Sequence, residues 1–136
     1  MRAARVGQVA LTLAIGLWVA ALLAAPDWLF PFGRFICHQR PERSFFSNGH
    51  QLAVCARCTG LYAGSALAAP LGVIAASSLA GARARRVLIA AAAPTAITWS
   101  LEFAGLSGFS NVARFIAALP LGFAAAWLVL GVLRDD

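Results

Sequence analysis

The amino-acid sequence predicts an all-α integral membrane protein of four transmembrane helices, with a Cys/His-containing loop between the first and second. Three observations carry that prediction. The 136 residues are 61% hydrophobic and 12% charged, with a mean hydropathy of +0.79, whereas a soluble domain is about a quarter charged. With so little polar surface, the bilayer is the solvent the chain requires. The apolar residues fall into four runs, each of the roughly twenty residues that a membrane crossing needs. Finally, all three cysteines and both histidines lie in one polar interval between the first two runs.

The first run, residues 6–25, reads "VGQVALTLAIGLWVAALLAA" without a charge. A cleaved signal peptide is the competing reading, since "MRAAR" would serve as its basic start. The run exceeds the 7–15 residues of such a segment, and Leu23 occupies a position where cleavage needs a small side chain. A retained span is the better reading. The remaining spans are expected at residues 59–80, 87–106 and 112–133, all within one membrane domain covering 1–136. Pro70, Pro94 and Pro120 lie inside these runs and should kink them unless neighbours satisfy the freed carbonyls. Gly60 and Gly64, with Ala68 a turn later, form a stripe of small residues that admits a close helix neighbour. That stripe is also a candidate face for a homo-oligomer.

Arginine sets the orientation. Arg2, Arg5, Arg83, Arg85, Arg86 and Arg134 all flank the spans on one side, which the positive-inside rule makes cytoplasmic. Both termini are then cytoplasmic and the polar loop, residues 26–58, is extracytoplasmic. Arg34, Arg40, Arg43 and Arg57 oppose this count, but they are interleaved with Cys and His and read as site residues. The net charge of +6 is not gathered on a polar face, so nucleic acid is excluded as a partner. The lipid bilayer is the partner composition supports, and protein partners are not legible.

The loop opens with "PDWLFPFGRF", whose Trp28, Phe30 and Phe32 suit the headgroup layer. Next come Cys37 and His38, then Asn48-Gly49, a strong hairpin signal. A two-residue turn there, extended as a ladder, would set His38 level with Thr59 and Cys37 level with Gly60, with Pro41 interrupting the pairing. The fold-back brings Cys37 and His38 toward Cys55 and Cys58.

Three readings fit that convergence. Cys55-x-x-Cys58 has zinc half-site spacing, and Cys37 with one histidine completes a Cys3His set. Zinc, or copper or iron, accepts such ligands. Adjacent residues on a strand face opposite ways, so His50 rivals His38 as the fourth ligand. The second reading is thiol–disulfide chemistry at Cys55 and Cys58, with Arg57 lowering a thiol pKa. Membrane enzymes of that kind pass electrons to quinone, and usually need a second cysteine pair, whereas here only Cys37 remains. The third is a structural disulfide with a spare thiol in a loop that caps the bundle.

Glu102 and Arg114 lie near the ends of spans three and four, joined by "GLSGFS". The short turn lets them face each other as a structural clamp, with Asn111 capping span four. Alternatively Glu102 orients a ligating histidine or is itself a ligand.

At these residues the chain resembles a family of small prokaryotic multi-pass membrane proteins, domain-of-unknown-function family two-zero-eight-five. The matching elements are Cys37-His38, Glu42-Arg43-Ser44 and Cys55-Ala56-Arg57-Cys58-Thr59-Gly60 followed by Tyr62, then Ser110, Asn111 and Arg114. In span three, Trp99 and Glu102 stand where the family often carries an acidic residue a turn before Gln. The resemblance implies a multi-pass fold in the cytoplasmic membrane of a prokaryote. It also singles out His38 over His50, and draws Arg43, Ser44, Arg57, Asn111 and Arg114 to the site as residues that orient ligands or receive an anion. It implies no activity.

Overall fold

The computed structural model describes residues 2–24, 27–75, 79 and 81–135. Four long helices form the body of the protein: α1 (Arg2–Ala24), α3 (Ala56–Ala75), α4 (Ala82–Phe103) and α5 (Asn111–Asp135). Between α1 and α3 the chain builds a cap: the five-residue α2 (Leu29–Gly33), a 3-10 turn (Pro41–Arg43), and a hairpin of β1 (Ser44–Ser47) and β2 (His50–Cys55). The expected spans match these helices to within a few residues, although parts of the predicted span ends at 25, 76–78 and 80 lie outside the described residues. Three of the helices are long and apolar enough to cross a membrane: residues 4–24, 56–75 and 111–134. α4 is not among them, because three arginines crowd its start and Glu102 lies near its end.

The helices are apolar outward. Val6, Val9, Leu13 and Leu17 form an exposed stripe on α1, as do Leu67, Leu71 and Ile74 on α3. Polar residues turn inward instead. Gln8 is buried and its Nε2 donates to the Leu130 carbonyl of α5 at 2.9 Å. The Thr12 hydroxyl reaches the Ala69 carbonyl of α3 at 3.4 Å. A bilayer explains this inversion: lipid solvates the apolar side chains, while each amide or hydroxyl must find a protein carbonyl.

α3 and α5 are the most closely packed pair. A Cβ on Gly60, Gly64 or Gly122 would overlap the carbonyl oxygens of Phe115, Leu119 and Leu61 respectively, and one on Gly72 would meet the Leu130 side chain. The small-residue stripe therefore admits a close neighbour as expected, but that neighbour is α5 of the same chain. Gly60 and Gly64 are buried inside the monomer, so that face is filled within the chain. Pro70, Pro94 and Pro120 all lie within continuous helices. Hydroxyl groups beside them bridge to neighbouring backbone, with Thr95 donating to the Ala117 carbonyl at 2.9 Å and Ser65 to that of Gly122 at 3.1 Å. α4 packs chiefly on α5, and none of its residues is buried over its whole surface.

The cap follows from its turn residues. Asn48 and Gly49 have φ of 50° and 82°, the two positive values of a type I′ hairpin turn. Ser47 pairs with His50 and Phe46 with Gln51, in the register the Asn-Gly signal sets. A bulge then shifts the ladder so that Ser44 pairs with Cys55. Pro41 starts the 3-10 turn, so the ladder stops at Ser44 and never reaches Cys37 or His38. The expected pairing of those residues with Gly60 and Thr59 does not form.

A different device brings Cys37 in. Its N–H caps α2 by donating to the Gly33 carbonyl at 2.9 Å. Two residues later Gln39 takes a left-handed φ of 47° and turns the chain back. The buried Gln39 amide donates to the carbonyls of Phe30 (2.6 Å) and Ala53 (2.8 Å), and Gln51 donates to the Gln39 carbonyl at 2.8 Å. Gly33 lies so close to Ala53 and Gln39 that no side chain fits there. One glutamine thus clamps the incoming loop onto β2.

Candidate metal centre

The strand β2 runs directly into α3, with Cys55 the last strand residue and Cys58 in the first helical turn. Their Sγ atoms lie 3.7 Å apart. Cys37, nearly buried, arrives from the other side, and the Cys55 N–H donates to its sulfur at 3.1 Å. All three sulfurs lie within 4.8 Å of one another, and all three thiols are free. Leu22, Leu29 and Val54 form the apolar wall behind them, with Trp18 and Tyr62 packed edge to face at 5.8 Å. A tetrahedral ion with metal–sulfur bonds of about 2.3 Å needs sulfurs about 3.8 Å apart. The Cys55–Cys58 edge already has that length, so the group is geometrically able to hold a metal ion.

The Cys55 thiol is held down to about 5, chiefly by the hydrogen bond from the Cys58 side chain, against the opposing effect of burial. Smaller contributions come from the Cys58 backbone N–H, the Cys37 thiol and the Arg57 N–H. The exposed N–H groups at a helix start favour a thiolate in this way.

The histidines go elsewhere. His38 is exposed on the wall of the cavity that the cysteines share, and its ring nitrogens are outside the three-sulfur group. His50 lies at the exposed hairpin tip, 3.0 Å from the Asp27 carboxylate through Nδ1. The expected fourth ligand is therefore not drawn in with the thiols.

Beside the thiols, Glu102 makes two ion pairs. Its Oε2 lies 2.6 Å from Arg57 Nη2, and its Oε1 is 2.7 Å from Arg114 Nη2 and 2.8 Å from Arg114 Nε. The Glu102 side chain is 5% exposed and those of Arg57 and Arg114 are 13% and 11% exposed. The sequence points to the Glu102–Arg114 pair across the short turn. It hides the pair with Arg57, because nothing local links residues 57 and 102. Asn111 is the first residue of α5 and not its cap. Its Nδ2 donates to the Ser44 carbonyl at 2.9 Å, and its Oδ1 accepts from Arg114 at 2.7 Å. The cap is Ser110, whose hydroxyl accepts from the Ala113 N–H at 3.2 Å. Ser44 is buried and donates to the Arg40 carbonyl at 2.8 Å. Hairpin, α3, α4 and α5 are thus tied through one polar network.

A cavity of about 660 Å³ opens beside the cysteines and the clamp. Arg40, Arg43, Arg57 and Arg114 line it with charge, and Leu61, Trp99 and Phe103 add apolar surface. Sequence reasoning missed Gln39 and Trp99 as parts of this site, since neither belongs to a spaced motif.

The family model described as "Predicted membrane protein (DUF2085)" matches residues 37–128, from the first cysteine of the centre to the second half of α5. The chain belongs to this DUF2085 family. An uncharacterized protein of Methanothermobacter thermautotrophicus is 36% identical over 101 residues, covering 70% of this chain and 85% of that protein. One of Methanocaldococcus jannaschii is 34% identical over 112 residues, covering 79% of this chain and 69% of its own length. No solved structure matches. The DUF2085 match takes in Cys37, Cys55, Cys58, Glu102 and Arg114, so the centre and the clamp both lie within the family region.

Proposed function

We propose that this DUF2085 protein is a four-span membrane protein that binds one transition-metal ion, zinc or alternatively copper or iron, through Cys37, Cys55 and Cys58. The observation that carries this reading is the convergence of three free sulfurs within 4.8 Å, one edge of which is 3.7 Å. The experiment is elemental analysis of protein purified with its thiols reduced. About one ion per chain is expected, and metal-free protein from metal-replete cells would sink the proposal.

The three sulfurs leave a fourth position. His38, on the same cavity wall, is the imidazole available to fill it. His38→Ala is expected to weaken metal affinity by about tenfold or more, whereas His50→Ala, whose ring is taken by Asp27, leaves it unchanged. A competition titration with a chromogenic chelator measures both, and equal effects would remove His38 from the ligand set.

α4 completes the four spans in this reading. Its arginines sit in the first turn, where they can reach an interface, and Glu102 is neutralised by two partners. An unpaired carboxylate at the centre of a span would cost roughly 2.5–3.5 kcal/mol. With the arginine-rich ends inside, the centre faces out of the cytoplasm. A reporter fused after Asp136 should then be active only in the cytoplasm, and one inserted at Asn48 only outside. A cytoplasmic signal from Asn48 would reverse the orientation.

The second reading is thiol–disulfide exchange at Cys55 and Cys58, favoured by their free thiols 3.7 Å apart. Closing that disulfide requires an electron acceptor, which in a membrane is quinone. Alkylation trapping in cells would show a mixture of reduced and oxidised protein that shifts when quinones are depleted. A pair fixed in one state under all conditions would eliminate exchange.

A further inference from the structure

The cavity carries a surplus of positive charge that the thiol centre does not absorb. Arg40, Arg43, Arg57 and Arg114 line it with a single carboxylate, Glu102. Arg57 and Arg114 share that carboxylate between them. Among the described residues no ion pair joins Arg40 or Arg43 to an acid. Arg57 also keeps a buried Nε with no hydrogen-bond partner, although a guanidinium is costly to bury with an unused donor. A divalent ion on three thiolates would carry one net negative charge, and the cavity would still hold a net surplus of two positive charges.

Part of the lining is apolar. Trp99 and Phe103 of α4 stack with ring centroids 5.3 Å apart and are 52% and 82% exposed. The cavity thus combines guanidiniums with the exposed aromatic rings of α4, a lining that suits an amphiphile with an anionic head.

We propose that this cavity binds a phosphate-type oxyanion on Arg40, Arg43 and Arg57. Guanidinium forks match phosphate oxygens two at a time, and three of them line this one cavity of about 660 Å³. The oxyanion can come from an anionic phospholipid headgroup or from free phosphate, and the aromatic lining favours the lipid. This site shares the cavity with the proposed metal centre but does not depend on it.

The test is calorimetric titration of the full chain in neutral detergent, metal-stripped and metal-loaded. The three probes are short-chain phosphatidylglycerol, phosphatidylcholine of the same chains, and inorganic phosphate. One phosphatidylglycerol is expected per chain, bound about tenfold more tightly than phosphatidylcholine. The preference should vanish in the Arg40→Gln/Arg43→Gln double variant and be largely restored in Arg40→Lys/Arg43→Lys, which keeps the charge and checks folding. Both variants should retain their metal, so loss of the lipid preference is distinguishable from loss of the metal centre. Inorganic phosphate binding as tightly as phosphatidylglycerol, with the same arginine dependence, assigns the oxyanion to solution. No arginine-dependent binding of any probe overturns the proposal.

Discussion

Cys58→Ser is expected to strip the protein of its metal and loosen the whole cap. Serine is close to cysteine in shape, so the variant changes chemistry with little change in packing. Its hydroxyl is a poor ligand for a soft or borderline ion, because it does not ionise near neutral pH and oxygen is the harder donor. Losing an orienting partner of a ligand already weakens metal binding by about 10- to 100-fold. Losing a thiolate itself should exceed that, and at saturating metal a hundredfold loss removes about 2.7 kcal/mol of folding free energy. The effect should spread through the cap. Cys37 anchors the loop by accepting the Cys55 N–H at 3.1 Å, and its own N–H closes α2 on Gly33. Hydrogen exchange over residues 33–55 should therefore rise in Cys58→Ser and in Cys55→Ser. Wild-type metal content in both variants would refute the three-thiol centre.

The sequence reveals most about this protein where the physics is local. Twenty apolar residues cannot be solvated by water, so the helices are legible to within about five residues at their ends, and residues 112–133 fall inside α5 (Asn111–Asp135). Asn-Gly reports two positive φ angles, so the hairpin tip and the first two pairs of its register are legible as well. Extrapolating that register through Phe45 fails, because a bulge changes the pairing and no motif announces it. The convergence of Cys37 with Cys55 and Cys58 is right for a different reason from the ladder that suggests it. Its cause is the left-handed turn at Gln39 and the hydrogen bonds of a buried amide to backbone carbonyls, which periodicity does not encode. Gly60 and Gly64 signal a close helix neighbour, but their spacing cannot say whether that helix belongs to the same chain. Arg57 reads as a partner of the thiols because it stands between them in sequence. Its guanidinium instead crosses to Glu102 of α4, a long-range contact that only the assembled bundle creates.

Glu102→Gln should be the most destabilising single change among the polar residues of the protein. Glutamine preserves the shape and can still accept hydrogen bonds, but it removes the carboxylate bonded to both Arg57 and Arg114. Both guanidiniums are nearly buried, and neither has another acid within ion-pair distance among the described residues. Removing one partner of a buried pair costs about 3–5 kcal/mol, because the remaining charge stays desolvated and unpaired. Here two charges are left, and they repel each other. The loss should extend beyond α4. Arg114 also holds the Asn111 side-chain oxygen at 2.7 Å, and Asn111 in turn holds the Ser44 carbonyl at 2.9 Å. A loosened Arg114 therefore releases the hairpin from α5. The clamp can be separated from a direct role in metal binding by a second variant. Glu102→Gln combined with Arg114→Gln removes one of the two orphaned charges and should recover part of the lost stability. Thermal unfolding of the detergent-solubilised protein, read beside metal content, distinguishes the cases. Recovery of stability in the double variant, with metal retained, identifies the residue as a clamp. Wild-type stability in Glu102→Gln would show that the buried carboxylate is not what holds the two arginines in place.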